Sequence, residues 1–115
     1  MDATAPIRLP FAGFYFTEEF MAKGYWITFY RSAPNPAALA EYARMGTIAI
    51  QGAGGRFVAR GPAVKAFESG LSQRSVVIEF ESVEKAIAAY EGPAYQEALK
   101  ALGPVERDVR IIEGV

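Results

Sequence analysis

Four strand-like runs separated by two helical stretches constrain this chain more than any other feature. Residues 24–31 (Gly-Tyr-Trp-Ile-Thr-Phe-Tyr-Arg) are aromatic and β-branched and predict a strand. Pro34-Asn35-Pro36 then predicts a helix start, with Asn35 capping free N–H groups and Pro36 at the first helical position, where its missing N–H costs nothing. Leu39, Tyr42, Ala43, Gly46 and Ile50 give that helix an apolar stripe, and Gly52-Ala53-Gly54-Gly55 ends it. Residues 56–60 read as a second strand, broken by Gly61-Pro62 and continued to about residue 67 beyond a bulge. Residues 74–81 read as a third. Ser82 caps a second helix whose buried face would be Val83, Ala86, Ile87 and Tyr90. Gly92-Pro93 breaks this helix into two, and Gly103-Pro104 ends the second piece, lined by Ala94, Tyr95, Ala98, Leu99 and Leu102. Residues 106–113 are the last strand, with Val109 and Ile111 on one face.

The order β-α-β-β-α-β predicts an α+β, ferredoxin-like protomer with an antiparallel sheet. Right-handed crossovers put the first and third strands in the centre and both helices on one face. The other face has no helix left to cover it. Residues 1–20 hold four of the eight Phe and form an N-terminal extension or arm, read either as a tail or as an aromatic segment that packs on a surface. Residues 21–115 form the single domain expected of a 115-residue chain, and a domain of this size often gains cover by oligomerising.

Two strands carry charges within β-rich runs. On the third strand Val76, Ile78 and Phe80 share one face, and Ser75, Val77 and Glu79 share the other. The apolar set is expected to meet the helices, which turns Glu79 toward the open face. Placing Arg56 opposite Glu79 puts Val58 opposite Val77 and Arg60 opposite Ser75. A slip of one would oppose Arg60 to Arg74, which like-charge repulsion disfavours, whereas an Arg–Glu pair contributes roughly 0.2 to 1 kcal/mol. Arg60 and Arg74 then read as a solvated edge, and Arg107-Asp108-Val109-Arg110 as a half solvent-facing strand. Tyr25, Trp26, Phe29 and Tyr30 read as core and interface, or as the floor of an aromatic pocket. Tyr90 and Tyr95 flank the helix break, with hydroxyls at the rim that need partners if buried.

Composition removes whole classes of chemistry. Without His or Cys there is no Ser-His-Asp triad, imidazole base, thiol nucleophile, zinc-cysteine site or disulfide. The carboxylates are not clustered for a hard cation, so neither a metal nor another cofactor is expected. A net charge of -1 without a basic patch argues against nucleic-acid and anionic-membrane partners. No apolar run is long enough for a span and the N-terminus lacks a cleavage pattern, so a cytoplasmic location is expected. Gly52-Ala53-Gly54-Gly55 follows a helix and opens a strand, the reverse of a phosphate-binding loop.

Lys23-Gly24-Tyr25-Trp26-Ile27, Gly54-Gly55-Arg56-Phe57 with Arg60-Gly61, Val76-Val77-Ile78-Glu79-Phe80, Ala88-Ala89-Tyr90 to Pro93-Ala94-Tyr95, and Arg107-Asp108 with the ending Ile111-Ile112-Glu113-Gly114-Val115 together resemble the domain-of-unknown-function family 1330, in the dimeric α/β-barrel superfamily. The resemblance spans residues 21–115. It implies a protomer whose open sheet face meets its twin across a two-fold axis. It implies no reaction, and relatives in the superfamily include cofactor-free monooxygenases, lactone isomerases and haem enzymes.

Two functions are therefore carried forward. In the first, a small organic molecule, anionic in one version of the reading, binds in the cleft between sheet and helices of a homodimer. Arg56 would hold its charge, Glu79 would orient it or act as base, and Tyr95 would donate a hydrogen bond. Whether such a site turns its ligand over stays open. In the second, the chain is a non-catalytic dimeric interaction or assembly module, and Arg56–Glu79 is a structural pair.

Overall fold

The computed structural model describes residues 22–115, so the expectations for the N-terminal arm lie outside the described residues. The elements are β1 (Gly24–Tyr30), α1 (Pro36–Gly52), β2 (Arg56–Pro62), β3 (Arg74–Phe80), α2 (Val83–Glu91), α3 (Pro93–Leu102) and β4 (Arg107–Glu113). The strands form one antiparallel sheet in the order β2-β3-β1-β4, with β1 and β3 central, as the ferredoxin-like order requires. The caps form as their residue types dictate. Asn35 accepts from the Ala38 amide, and the Ser82 hydroxyl accepts from the Lys85 amide.

One face of the sheet packs on the helices. Trp26, Thr28 and Tyr30 of β1 and Val76, Ile78 and Phe80 of β3 point into this layer, where they meet Tyr42 and Ile50 of α1 and Tyr95, Ala98 and Leu102 of α3. Trp26 is the hub, edge-on to Tyr95 at 4.7 Å and stacked near Phe80 at 6.3 Å between ring centroids. Gly55 allows the closest approach at the exit of α1. A Cβ there would sit 2.6 Å from Ile50 Cγ2 and 2.7 Å from Phe80 Cζ. Helix α2 buries Ala86 and Ala89 and leaves Ile87 40% exposed, which corrects the expected face. The two alanines let α2 lie close to the sheet, and Ile87 rotates aside to the neighbourhood of Val109 and Ile111.

The predicted register holds at Arg56↔Glu79 and then departs from expectation. The pairing runs Phe57↔Ile78, Ala59↔Val77, Arg60↔Val76 and Gly61↔Ser75, so Val58 is the extra residue of a bulge. The bulge was expected near Gly61 and lies three residues earlier. Its consequence is a change of side. In regular alternation Arg56, Val58 and Arg60 would share the open face, but one extra residue sends Arg60 to the helix face. Strand β2 ends at Pro62, and residues 63–67 belong to the connection to β3 instead of continuing the strand.

The other sheet face carries Tyr25, Phe29, Val77, Glu79 and Ile112, by the same alternation. Phe29 is 45% and Ile112 49% exposed there, and no helix of the described residues covers them.

Candidate functional site

Glu79 lies on the open face of the central strand β3, one residue from its end. Its Oε2 accepts from the Tyr25 hydroxyl at 2.7 Å, and its Oε1 accepts from Arg56 Nη2 at 2.8 Å and Nε at 3.3 Å. The Tyr25 hydrogen bond and then the Arg56 guanidinium hold the Glu79 carboxyl below its usual range. A carboxylate so paired is a poor proton acceptor near neutrality. Tyr25 is directly opposite Glu79 on β1, and the sequence reading overlooked this third member.

Tyr95 lies on the other side of the sheet. Its ring is buried in the helix layer, and its hydroxyl is 2.6 Å from that of Tyr42. The geometry therefore brings Arg56 and Glu79 together and keeps Tyr95 apart from them, so the three do not share one cleft. Nor does the Tyr95 hydroxyl lie at a solvent rim. Arg107 donates from Nη2 to Tyr95 at 3.3 Å and from Nη1 to Tyr42 at 3.4 Å. Burial, with Tyr42 alongside, pushes the Tyr95 hydroxyl far above the usual phenol range against the opposing pull of Arg107, so it stays neutral.

Arg107 opens a second and richer constellation. In a strand read as half solvent-facing it takes the inward side, with its guanidinium carbon 5.3 Å from the Tyr30 ring centroid and 5.6 Å from that of Tyr42. Arg74 approaches the Tyr30 ring centroid to 6.0 Å, and its Nε is buried without a hydrogen-bond partner. Arg60, re-aimed by the Val58 bulge, lies 4.1 Å over the Phe57 ring and donates to Thr47 Oγ1 at 3.1 Å. The expected solvated edge of Arg60 and Arg74 is thus one wall of a cleft. Arg60, Arg74 and Arg107 line it together with Tyr42, Thr28 and Trp26, and it encloses about 20 Å³, room for a single water-sized group.

The charge in this cleft is one-sided. No Asp or Glu lines it, and no ion pair among the described residues links Arg60, Arg74 or Arg107 to a carboxylate. Arg74 and Arg107 are partly buried there, and cation–π contacts and hydroxyls compensate only part of their desolvation, while Arg60 stays exposed. The arrangement can bind an anion and stabilise negative charge. It offers no proton acceptor of carboxylate type. Among the described residues no group of three or more His, Cys, Asp or Glu is placed to hold a metal ion, and no helix is long and apolar enough to cross a membrane.

Residues 23–115 match the family model described as Domain of unknown function (DUF1330). The chain belongs to this family. Among solved structures, a protein of unknown function from Rhodopseudomonas palustris superposes with a TM-score of 0.64 at 17% identity, covering 82% of this chain and 83% of that one. A dimeric ferredoxin-like protein of unknown function from Thermobifida fusca gives 0.55 at 14% identity, over 81% and 92% of the two chains. A protein from Caulobacter crescentus proposed as an antibiotic biosynthesis monooxygenase gives 0.52 at 14% identity, over 83% and 91%. At these identities the likeness is one of fold. No curated protein matches the chain.

Proposed function

We propose that this DUF1330 protein is a homodimer that binds a small organic anion in the cleft between the sheet and α1. The observation that carries the reading is the buried, unpartnered Nε of Arg74 in a cleft shared with Arg60 and Arg107 and free of carboxylates. A buried donor without an acceptor costs about 1–3 kcal/mol, which an incoming oxyanion would recover. The enclosed space fits one water-sized group, so a charged oxygen of the ligand would enter beside Arg74 and its carbon skeleton would lie at the mouth by Arg60. Chemistry performed there would rest on hydrogen-bond donation and charge stabilisation, the means open to donors without a base.

Homodimerisation is proposed through the uncovered sheet face, by analogy with the Thermobifida fusca protein described as dimeric. Phe29 and Ile112 would be covered, and the Tyr25–Glu79–Arg56 cluster would become a hydrogen-bonded polar part of the interface. Arg56 and Glu79 are assigned here to assembly, and the ligand to Arg74 and its neighbours. Thermal-shift screening of short organic acids tests the ligand assignment. Acids should raise the melting temperature of the protein, and Arg74→Gln should abolish the rise while Arg56→Gln leaves it intact. No stabilisation by any acid, or loss with Arg56→Gln alone, would reject it.

A further inference from the structure

The cleft's side chains set three guanidiniums against the hydroxyls of Thr28, Thr47 and Tyr42, with no carboxylate. Arginine has no acceptor. Thr28 Oγ1 accepts from the Trp26 indole at 2.9 Å and Thr47 Oγ1 from Arg60 at 3.1 Å, so donors outnumber the acceptors left over. The tyrosine pair has a preferred direction. Each hydroxyl has one proton, and Arg107 donates to both oxygens. Tyr95 is 1% exposed and has the Tyr42 oxygen as its acceptor among the described residues. If Tyr42 donated to Tyr95, the Tyr95 proton would be buried with nothing to receive it, at a cost of about 1–3 kcal/mol. Tyr95 therefore donates to Tyr42, and the Tyr42 proton is left for the cleft that Tyr42 lines.

Building on the anion-binding reading, we propose that the ligand is a doubly charged oxyanion without a cationic group: a short dicarboxylate or a phosphate monoester. A lining dominated by donors matches a ligand that offers mainly acceptors. Three guanidiniums with no opposing carboxylate leave an excess of charge that one carboxylate does not balance. An ammonium would set a like charge beside those guanidiniums with no carboxylate to receive it, which discriminates against such a ligand. The cleft's small enclosed volume gives Arg60 the role of a gate. It is the exposed guanidinium of the three, held by Thr47 and the Phe57 ring, and it swings out to admit the anion and closes on the second charge.

Calorimetric titration at low ionic strength with succinate, butyrate, γ-aminobutyrate and inorganic phosphate tests this on the full chain. Succinate is expected to bind about tenfold tighter than butyrate, the worth of one added charge-assisted contact, and γ-aminobutyrate weaker than both. Arg60→Gln, at an exposed position that folding tolerates, should bring succinate down to the level of butyrate. Tyr42→Phe should weaken succinate more than Tyr95→Phe does, since Tyr42 carries the outward proton. Phosphate binding with no succinate binding would support the doubly charged class and select the phosphoryl source. Equal affinity for succinate and butyrate, or for butyrate and γ-aminobutyrate, overturns the doubly charged, cation-free ligand while leaving anion binding intact. No binding of any of the four rejects both.

Discussion

Arg107 and Arg74 show how much of the site alternation alone could have revealed. Arg74 shares parity with Val76, Ile78 and Phe80, the set expected to meet the helices, and Arg107 with Val109 and Ile111, which share one face of the last strand. Their charge argued for solvent, and cation–π contact with Tyr30 outweighed that preference. Glu79 was placed correctly because its pairing with Arg56 decided the register, and Tyr25 was missed because the register across β1 was not followed. The tyrosine network gives a first prediction. Tyr95→Phe removes the donor to Tyr42 inside the core and should cost about 1–3 kcal/mol in chemical denaturation. The double variant with Tyr42→Phe should cost clearly less than the sum of the two, because both act on one hydrogen bond. Glu79 gives a second. Its folded pKa lies below the ordinary 4.5, so its pairing stabilises fully above that value and is lost as pH falls through the lower folded one. Glu79→Gln should therefore be less stable than the parent by about 1 kcal/mol at neutral pH, with the gap closing in acid; Arg56 is largely exposed, which keeps the effect small. A gap that stays constant down to strongly acid pH would remove the carboxylate's role.

Among the elements, β2 departs most from what its residues suggest, and one inserted residue is the reason. Caps, glycine exits and the Gly92-Pro93 break are local signals, and each helix begins and ends close to where they stand. A bulge is set by how two strands fit, so nothing within residues 56–62 marks Val58 as the unpaired residue. Deleting Val58 should remove the bulge while leaving Ala59 opposite Val77 and Arg60 opposite Val76, so Arg60 keeps the helix face. Anion affinity should then stay near the wild-type value and well above that of Arg60→Gln, with the helical circular dichroism unchanged. A fall to the level of Arg60→Gln would show that the strand pairing does not aim Arg60. Gly55 makes a separate test of packing at the same strand entrance. Gly55→Ala places a methyl group against Ile50 and Phe80 and should cost about 1–3 kcal/mol in denaturant midpoint stability.

At the scale of the molecule, the sheet divides two tasks. Its helix-covered side holds the arginine cleft, and its open side holds exposed apolar side chains with the hydrogen-bonded Tyr25–Glu79–Arg56 cluster toward one end. The element order made this division legible, since both helices of a ferredoxin-like unit fall on one face and leave the other bare. Arg56, Glu79 and Tyr95 read as one site from the sequence only while face assignment stops at β3; carried through to α3 it puts Tyr95 on the opposite side of the sheet from Glu79. If the open side is the dimer interface, Phe29→Glu should weaken self-association by roughly thirtyfold in sedimentation, a hot-spot loss of about 2 kcal/mol. Anion binding should survive in the resulting monomer, because the cleft is lined by one protomer. Trp26 allows that cleft to be watched directly, as the single tryptophan of the chain and part of the lining. Its indole N–H gives one resonance in a nitrogen-15 spectrum, and succinate should move that resonance saturably in the wild-type protein and leave it still in Arg74→Gln. An indole resonance unmoved by succinate, or moved equally in both proteins, would contradict an anion site built on Arg74.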